Sequence, residues 1–359
     1  MKSLVQTIIV LLVAVAILFY VNTQLNESSS SASSDTITVF NWGEYIDPEL
    51  VDRFEQETGI RVIYETFDSN EAMLTKIQQG GTRYDVAMPS EYMIEKMKEE
   101  ELLIPIDQSK LPNLQNIDPY FLDLPFDPGN QYSIPYFWGT VGIAFNPTLL
   151  DGQTFESWND LWSPELKQEV ILVDGAREVM GMGLNTLGYS LNSTDETELR
   201  AATDRLKEMG PNVKAIIGDE IVETMRRGEA AIALVWSGQA ADIMYVNEDI
   251  DYSVPEEGSN LWFDNMIIPK TAGNVEGAHK FINFMLDAEV AAQNADYVGY
   301  STPNSAAIEL MDPEVTGDTR FYPTEEMRER LEVYQNLGPE KLGLYNELFL
   351  EFKMSMNQN

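Results

Sequence analysis

The 359 residues are too many for one compact core and comfortable for two domains, and their 44% apolar content is that of a globular protein. Cysteine is absent and histidine occurs once, at His279, which excludes disulfides, thiolate metal sites, cysteine nucleophiles, an N-terminal lipidated cysteine and a multi-histidine metal centre. The 59 acidic against 23 basic residues give a formal charge of −36, which opposes binding to nucleic acid or anionic lipid and draws small cations toward any cleft.

Lys2 precedes a stretch from Leu4 to Val21 that is apolar apart from Gln6 and Thr7, nearly long enough as a helix to cross a hydrocarbon core. A serine-dominated tether, Asn22 to Asp35, follows. The lone lysine before the run, with none in the tether, favours an N-terminus inside and the remainder outside. A cleaved signal peptide would need small residues just after the apolar run, whereas Ser30-Ser31-Ala32 lies well beyond it. An uncleaved anchor fits better, and either reading puts residues 36–359 outside the cytoplasm.

The exported part opens with alternating strands and helices. Thr36 to Phe40 has a strand pattern; Asp47-Pro48 supplies a cap and a first-turn proline for a helix that Gly59 stops. Arg61 to Phe67 reads as a strand, Asn70 to Gln79 as a helix, Tyr84 to Met88 as a strand and Glu91 to Glu101 as a helix. This βαβαβα order predicts a parallel sheet flanked by helices. After the aromatic segment Tyr132 to Phe145 a second α/β region follows, with strands at Val170 to Val173 and Ala230 to Trp236 and helices at Thr197 to Met209 and Glu220 to Arg227.

Open α/β sheets place ligands at the carboxyl ends of their strands. Those ends carry Asn41-Trp42-Gly43-Glu44-Tyr45, Pro89-Ser90-Glu91-Tyr92, Asp174-Gly175-Ala176-Arg177-Glu178 and Trp236-Ser237-Gly238. Further on come Asn260 to Asn265 and Gly299 to Asn304. Aromatic walls beside carboxylates suit a linear organic polycation: ring faces attract ammonium groups and cover methylene spacers, at roughly 0.5–2 kcal/mol per cation–π contact.

The segments Asn41 to Tyr45, Tyr132 to Gly139, Ala176 to Val179, Leu261 to Asp264 and Gly299 to Asn304, in that order along the chain, resemble the spermidine/putrescine-binding proteins of bacterial ABC transporters. The resemblance implies a two-lobed periplasmic-binding-protein fold of α/β class, with two crossing strands as hinge, behind an N-terminal hydrophobic helix. Residues 36–138 and 264–308 would form the first lobe, and residues 139–263 and 309–359 the second, after a segment 1–35 of anchor or signal plus tether. It further implies a non-enzymatic, monomeric clamp without cofactor or metal, which hands spermidine or putrescine to the membrane subunits of an importer. Its place would be the outer face of the cytoplasmic membrane, or the periplasm or extracellular space if the signal is cleaved.

On matching positions the first lobe would contribute Trp42, Glu44, Tyr45, Ser90, Tyr92 and Tyr300, and the second Arg177, Glu178, Trp236 and Gln335. Trp262 and Asp264 would lie beside the return crossing, and Glu178 and Asp264 would pair the ammonium groups directly. The chain departs from the family pattern at Gly175, where an aspartate is often found, at Gly43, where a hydroxyl residue is common, and at Tyr334, where a tryptophan stands.

Each residue has a plainer reading. Trp42, Tyr45 and Trp236 could seal cores, Ser90 could only cap a helix, and Arg177 could only orient Glu178. Glu178 could be a solvated helix-start acid, the Trp262–Asp264 pair could face solvent, Tyr300 could anchor a loop, and Gln335 could lie at the surface. Trp158, Trp162 and His279 read as structural. Two rivals to the clamp remain: a binding protein of the same fold for a quaternary amine or a sugar, and a secreted glycosidase, whose active site also sets paired carboxylates beside tryptophans.

Overall fold

The computed structural model describes residues 35–356. The N-terminal hydrophobic segment falls outside them; among the described residues no helix is long and apolar enough to cross a membrane.

The chain begins as its sequence dictates. Strand β1 (Thr36–Trp42) leads to α1 (Pro48–Thr58), where Asp47 accepts from the Glu49 N–H as N-cap and Gly59 closes the C-terminus. Strand β2 (Arg61–Phe67), helix α2 (Asn70–Gln79), the short β3 (Val86–Ala87) and helix α3 (Glu91–Glu99) follow. Strands β2, β1 and β3 are parallel neighbours, as the alternation predicts.

The long strand β4 (Ser133–Phe145), buried throughout, then runs through the middle of the molecule. Beyond it lie β5 (Val170–Val173), α4 (Ala176–Asn185), α5 (Glu196–Met209), β6 (Val213–Ile217), α6 (Glu220–Arg226), β7 (Ile232–Trp236), α7 (Ser237–Val246) and β8 (Asp251–Ser253). The chain returns through β9 (Leu261–Ile267), continues in α8 (Val275–Met285) and α9 (Ala288–Val298), and ends in α10 (Gly338–Met356). The strand order is β2-β1-β3-β9-β4-β7-β5-β6, with β8 also on β4.

Two strands bind the halves together. From Ser133 to Thr140, β4 pairs antiparallel with β9; from Val141 to Phe145 it pairs with β7 and β8 instead. The sheet is therefore mixed, parallel at its ends and antiparallel at the crossing. The pairing of β4 with β9 shifts register between Pro135 and Phe137. Proline offers no N–H to the ladder, and a bulge there re-aims the next side chain. Tyr136 accordingly donates to the Tyr45 carbonyl at 2.7 Å and accepts from Asn294 at 2.8 Å, tying the crossing strand to the turn after β1.

Apolar burial is continuous across both halves and the crossing, with a satellite cluster around Ala233, Val235, Ile243 and Tyr252 under α6 and α7. Trp158 is buried and Trp162 packs at the edge of the core, on a 3₁₀ turn (Trp158–Trp162). His279 is buried on α8, where Nε2 accepts from the Asp107 N–H at 2.9 Å and Nδ1 meets the Val275 carbonyl at 2.7 Å. Both ring nitrogens serve the fold.

Candidate functional site

The centre of the site is a carboxylate on the return crossing. In β9 the alternation of faces sends Phe263 to one side, against Phe121 and Trp138, and Trp262 and Asp264 to the other. Asp264 is 6% exposed; its Oδ2 accepts from the Tyr45 hydroxyl at 2.7 Å and its Oδ1 from the Ser90 hydroxyl at 2.8 Å. Burial pushes the Asp264 carboxyl up to about 6, against the pull of these two hydrogen bonds. Among the described residues no lysine or arginine pairs with it. An acid buried at this depth without a counter-charge has high affinity for a cation that can reach it.

Ser90 shows how the sequence commits itself to that acid. It stands at the N-cap of α3, yet its side chain caps no helix N–H. The hydroxyl is turned instead to Asp264 and accepts from the Asn70 amide at 3.1 Å. The same amide nitrogen holds the Tyr92 hydroxyl at 3.0 Å, so Asn70, at the start of α2, sets both residues.

Aromatic rings enclose this centre. Tyr45 stands edge-on to Tyr300 and to Phe137, each at 5.3 Å, and Tyr300 stands edge-on to Trp262 at 5.3 Å. Burial and the nearby Asp264 charge raise the Tyr45 phenol well above its ordinary value, so it stays a proton donor. Trp42 packs on Phe67 at 4.5 Å, half-buried, and Trp236 is half-buried at the end of β7. Tyr300 lies directly on the backbone of Gly238 at the start of α7; a β-carbon there would come within 1.3 Å of its ring.

Arg177 and Glu178 stand in the first turn of α4. Arg177 does not pair with Glu178. Its guanidinium donates to Asn192 Oδ1 at 2.8 Å and to the Gln335 carbonyl at 3.3 Å, and lies over the rings of Tyr334 and Tyr345 at 4.2 and 5.2 Å. It clamps the C-terminal segment to α4. Glu178 is half-buried, and burial raises its carboxyl while Arg177 and Tyr334 act the other way. Its side chain folds back over Gly175, where a β-carbon would meet Oε2 at 2.1 Å. The glycine that replaces the family's frequent aspartate therefore makes room for Glu178. Asp174 turns away and pairs with Lys353 of α10 at 2.7 Å. Behind Glu178 and Tyr334 the packing leaves a void of ≈ 10 Å³, about the space of one water, bounded by Trp158, Met182 and Asn185.

Two sequence candidates stay at the surface. Glu44 is exposed in the turn after β1, in a left-handed conformation with φ of 51°. Gln335 is exposed, and its backbone carries the contacts: the N–H donates to Asn192 Oδ1 at 3.0 Å and the carbonyl accepts from Arg177.

The sequence reading passed over Glu91. It is fully buried at the first position of α3, Oε2 accepts the Phe263 N–H at 2.9 Å, and Oε1 has no hydrogen-bond partner among the described residues. Burial pushes its carboxyl up to about 8; the Asp264 charge adds to this, and the Phe263 N–H and Arg177 oppose it. Its signal in the sequence was the glutamate itself, next to Ser90 at a strand end.

With this geometry in place, the comparisons with known proteins are specific. Residues 49–323 match the family model of the bacterial extracellular solute-binding proteins. The spermidine/putrescine-binding periplasmic protein of Salmonella typhimurium is 42% identical over 332 residues, 92% of this chain and 95% of that protein. A solved spermidine/putrescine ABC transporter protein of Listeria monocytogenes is 61% identical, with a TM-score of 0.83 over 89% of this chain and 99% of that one. The spermidine/putrescine ABC transporter substrate-binding protein of Streptococcus pneumoniae is 55% identical, with a TM-score of 0.85 over 90% and 99%. A curled, mixed sheet crossed by two strands, with aromatic rings around a buried acid, thus accompanies sequence likeness along nearly the whole chain: it belongs to the bacterial extracellular solute-binding protein family.

Proposed function

We propose that this protein is the extracytoplasmic clamp of a polyamine importer, capturing spermidine or putrescine between its lobes and presenting it to the importer's membrane subunits. The observation that carries this reading is Asp264, a buried carboxylate set by two hydroxyls, ringed by Tyr45, Tyr300 and Trp262 and without an internal cation. A primary ammonium supplies the missing charge there, and the rings cover the methylene chain that follows it. Glu178 on the opposite wall takes a second ammonium. Trp42, Ser90, Tyr92 and Trp236 line the space between, and Glu44 and Gln335 stand at its surface.

The lobes comprise residues 36–138 with 264–308 and residues 139–263 with 309–359, which fits the change of partners along β4 between Thr140 and Val141. Ligand that touches both walls stabilises the closed arrangement by its differential affinity for it. The clamp performs no chemistry and acts as a monomer. Residues 1–35 hold it at the outer face of the membrane or direct its export.

Titration calorimetry of the full-length protein with putrescine, spermidine, spermine and a quaternary amine tests the assignment. Saturable binding of putrescine or spermidine is expected; heat from the quaternary amine alone, or from none of the four, rejects it.

A further inference from the structure

Glu91 belongs to no part of the clamp described so far, yet its position is costly. A carboxyl group with no exposed surface and one oxygen without a hydrogen-bond partner among the described residues gives up its hydration for little beyond backbone N–H contacts. The bond from the Phe263 N–H pins the side chain to β9, one residue from Asp264, whose main chain bridges Ser90. The other groups within electrostatic reach come from both walls: Asp264 on β9, Tyr92 on α3 itself, and Arg177 on α4. Tyr334, beyond the crossing, feels Glu178 and Glu91 together. Asn336, two residues on, donates its backbone N–H to Glu95 on the same helix at 2.8 Å, so the second wall presses against α3 at this level.

We propose that Glu91 is a direct ammonium acceptor of the cleft, its unpartnered Oε1 taking a nitrogen of the polyamine between Asp264 and Glu178. This assignment rests on the polyamine reading above. It also accounts for Gly175: the carboxylate absent from the second wall is supplied across the cleft, from the first turn of α3.

A proton follows the ligand. In the ligand-free protein Glu91, raised to about 8, is mostly protonated at neutral pH, whereas Asp264, at about 6, is mostly ionised. An incoming ammonium pairs with a carboxylate, so Glu91 gives up its proton to solvent on binding. The ligand-free fold shows the reverse linkage. From about pH 4 the folded state holds protons that the unfolded chain has lost, on Asp264 up to about pH 6 and on Glu91 up to about pH 8, so these two groups make stability fall as pH rises through those windows.

Calorimetry of the full-length protein with spermidine and putrescine at pH 7, in two buffers of different ionisation heat, tests this. Wild type should release close to one proton per ligand, and the release should fall toward half of that at pH 8, where Glu91 is already partly ionised and the ligand is still mostly ammonium. Glu91→Gln keeps an acceptor for the Phe263 N–H; it should bind at least ~10-fold more weakly at pH 8, release no proton, and melt no lower without ligand. Wild-type affinity and unchanged release in Glu91→Gln overturn the assignment. If that variant does not fold, absence of release from wild type at pH 7 overturns it alone. A wild type that binds neither polyamine instead rejects the polyamine reading itself, which separates the two failures.

Discussion

The two acids proposed to hold the ligand are carried differently. Asp264 is held by two hydroxyls that arrive from separate elements, the turn after β1 and the start of α3, and a third element, α2, fixes Ser90 through Asn70. Glu178 is half-buried, curls over a glycine and backs onto a small cavity, while its neighbouring arginine is occupied by Asn192, Gln335 and two tyrosine rings. Both acids have hydrogen-bond partners, Glu178 its own N–H and Tyr334, but Asp264 is the more deeply buried. A deeply buried acceptor is screened less by water, so more of its Coulomb energy reaches the binding constant. The two acids should therefore differ in how strongly each anchors the ligand.

The sharpest way to break that contrast is to neutralise each acid in turn. Asp264→Asn should weaken spermidine and putrescine binding by about 2–5 kcal/mol, the range for removing one partner of a buried charge pair. Glu178→Gln should weaken it by about 2 kcal/mol, the low end of the same range, because water reaches this partly exposed acid and screens its pairing. Ligand-free Asp264→Asn should melt no lower than wild type, since it relieves the burial of an unpaired charge. Calorimetry and thermal melts check both; equal losses at the two walls would erase the distinction.

Closure is the next contact to attack. Tyr300, which joins the ring cluster around Asp264, rests on Gly238, where α7 begins beside Trp236. A methyl group at 238 overlaps the tyrosine ring when the walls meet. Gly238→Ala should therefore weaken polyamine binding by about 1–3 kcal/mol, the usual cost of overpacking, and suppress the ligand-induced compaction seen by small-angle scattering. The ligand-free melting temperature should stay unchanged if Tyr300 and Gly238 separate on opening. Full affinity and full compaction in the variant would show that these two residues do not meet in the bound state.

Much of this was legible in the sequence because it is local. Asp47-Pro48 and Gly59 bracket α1 as capping chemistry requires, and strict alternation in β9 places Trp262 and Asp264 on one face. What escaped depends on contacts far along the chain. Strand β6 is mostly half-buried and shows no clean two-residue period, so nothing marked Val213–Ile217 as a strand. Helix α10 begins with Gly338-Pro339; its core residues Tyr345, Leu348, Phe349 and Phe352 do share a helical face, but the exposed Leu350 and Met354 blur that stripe, and packing against α4 and α5 decides which side is core. Glu91 read as an ordinary acid in a helix's first turn, where the helix dipole favours a negative charge. Its burial is decided by β9, which returns to that edge some 170 residues later, and its partner there is the Phe263 N–H. For Ser90 the sequence left two readings open, a site residue or a helix cap, and the tertiary contact with Asp264 decides between them by taking the hydroxyl away from the helix start.

The smallest expected effect bears on preorganisation itself. Tyr45→Phe keeps the ring against Phe137 and Tyr300 and removes only the hydroxyl that donates to Asp264. A single hydrogen bond of this kind is worth about 1 kcal/mol net, somewhat more when the acceptor is charged. The loss should depend on pH. The Tyr45 hydrogen bond lowers the Asp264 carboxyl toward its value of about 6, so without it the carboxyl rises further and is protonated over more of the range just above pH 6. An ammonium ligand then meets a neutral acid more often at pH 6 than at pH 8, and the penalty of the variant should be larger at the lower pH. Titrations of wild type and Tyr45→Phe with spermidine at both values decide it. A penalty equal at pH 6 and pH 8 would mean that the hydroxyl only fills space, and that Asp264 owes its ionisation to Ser90 alone.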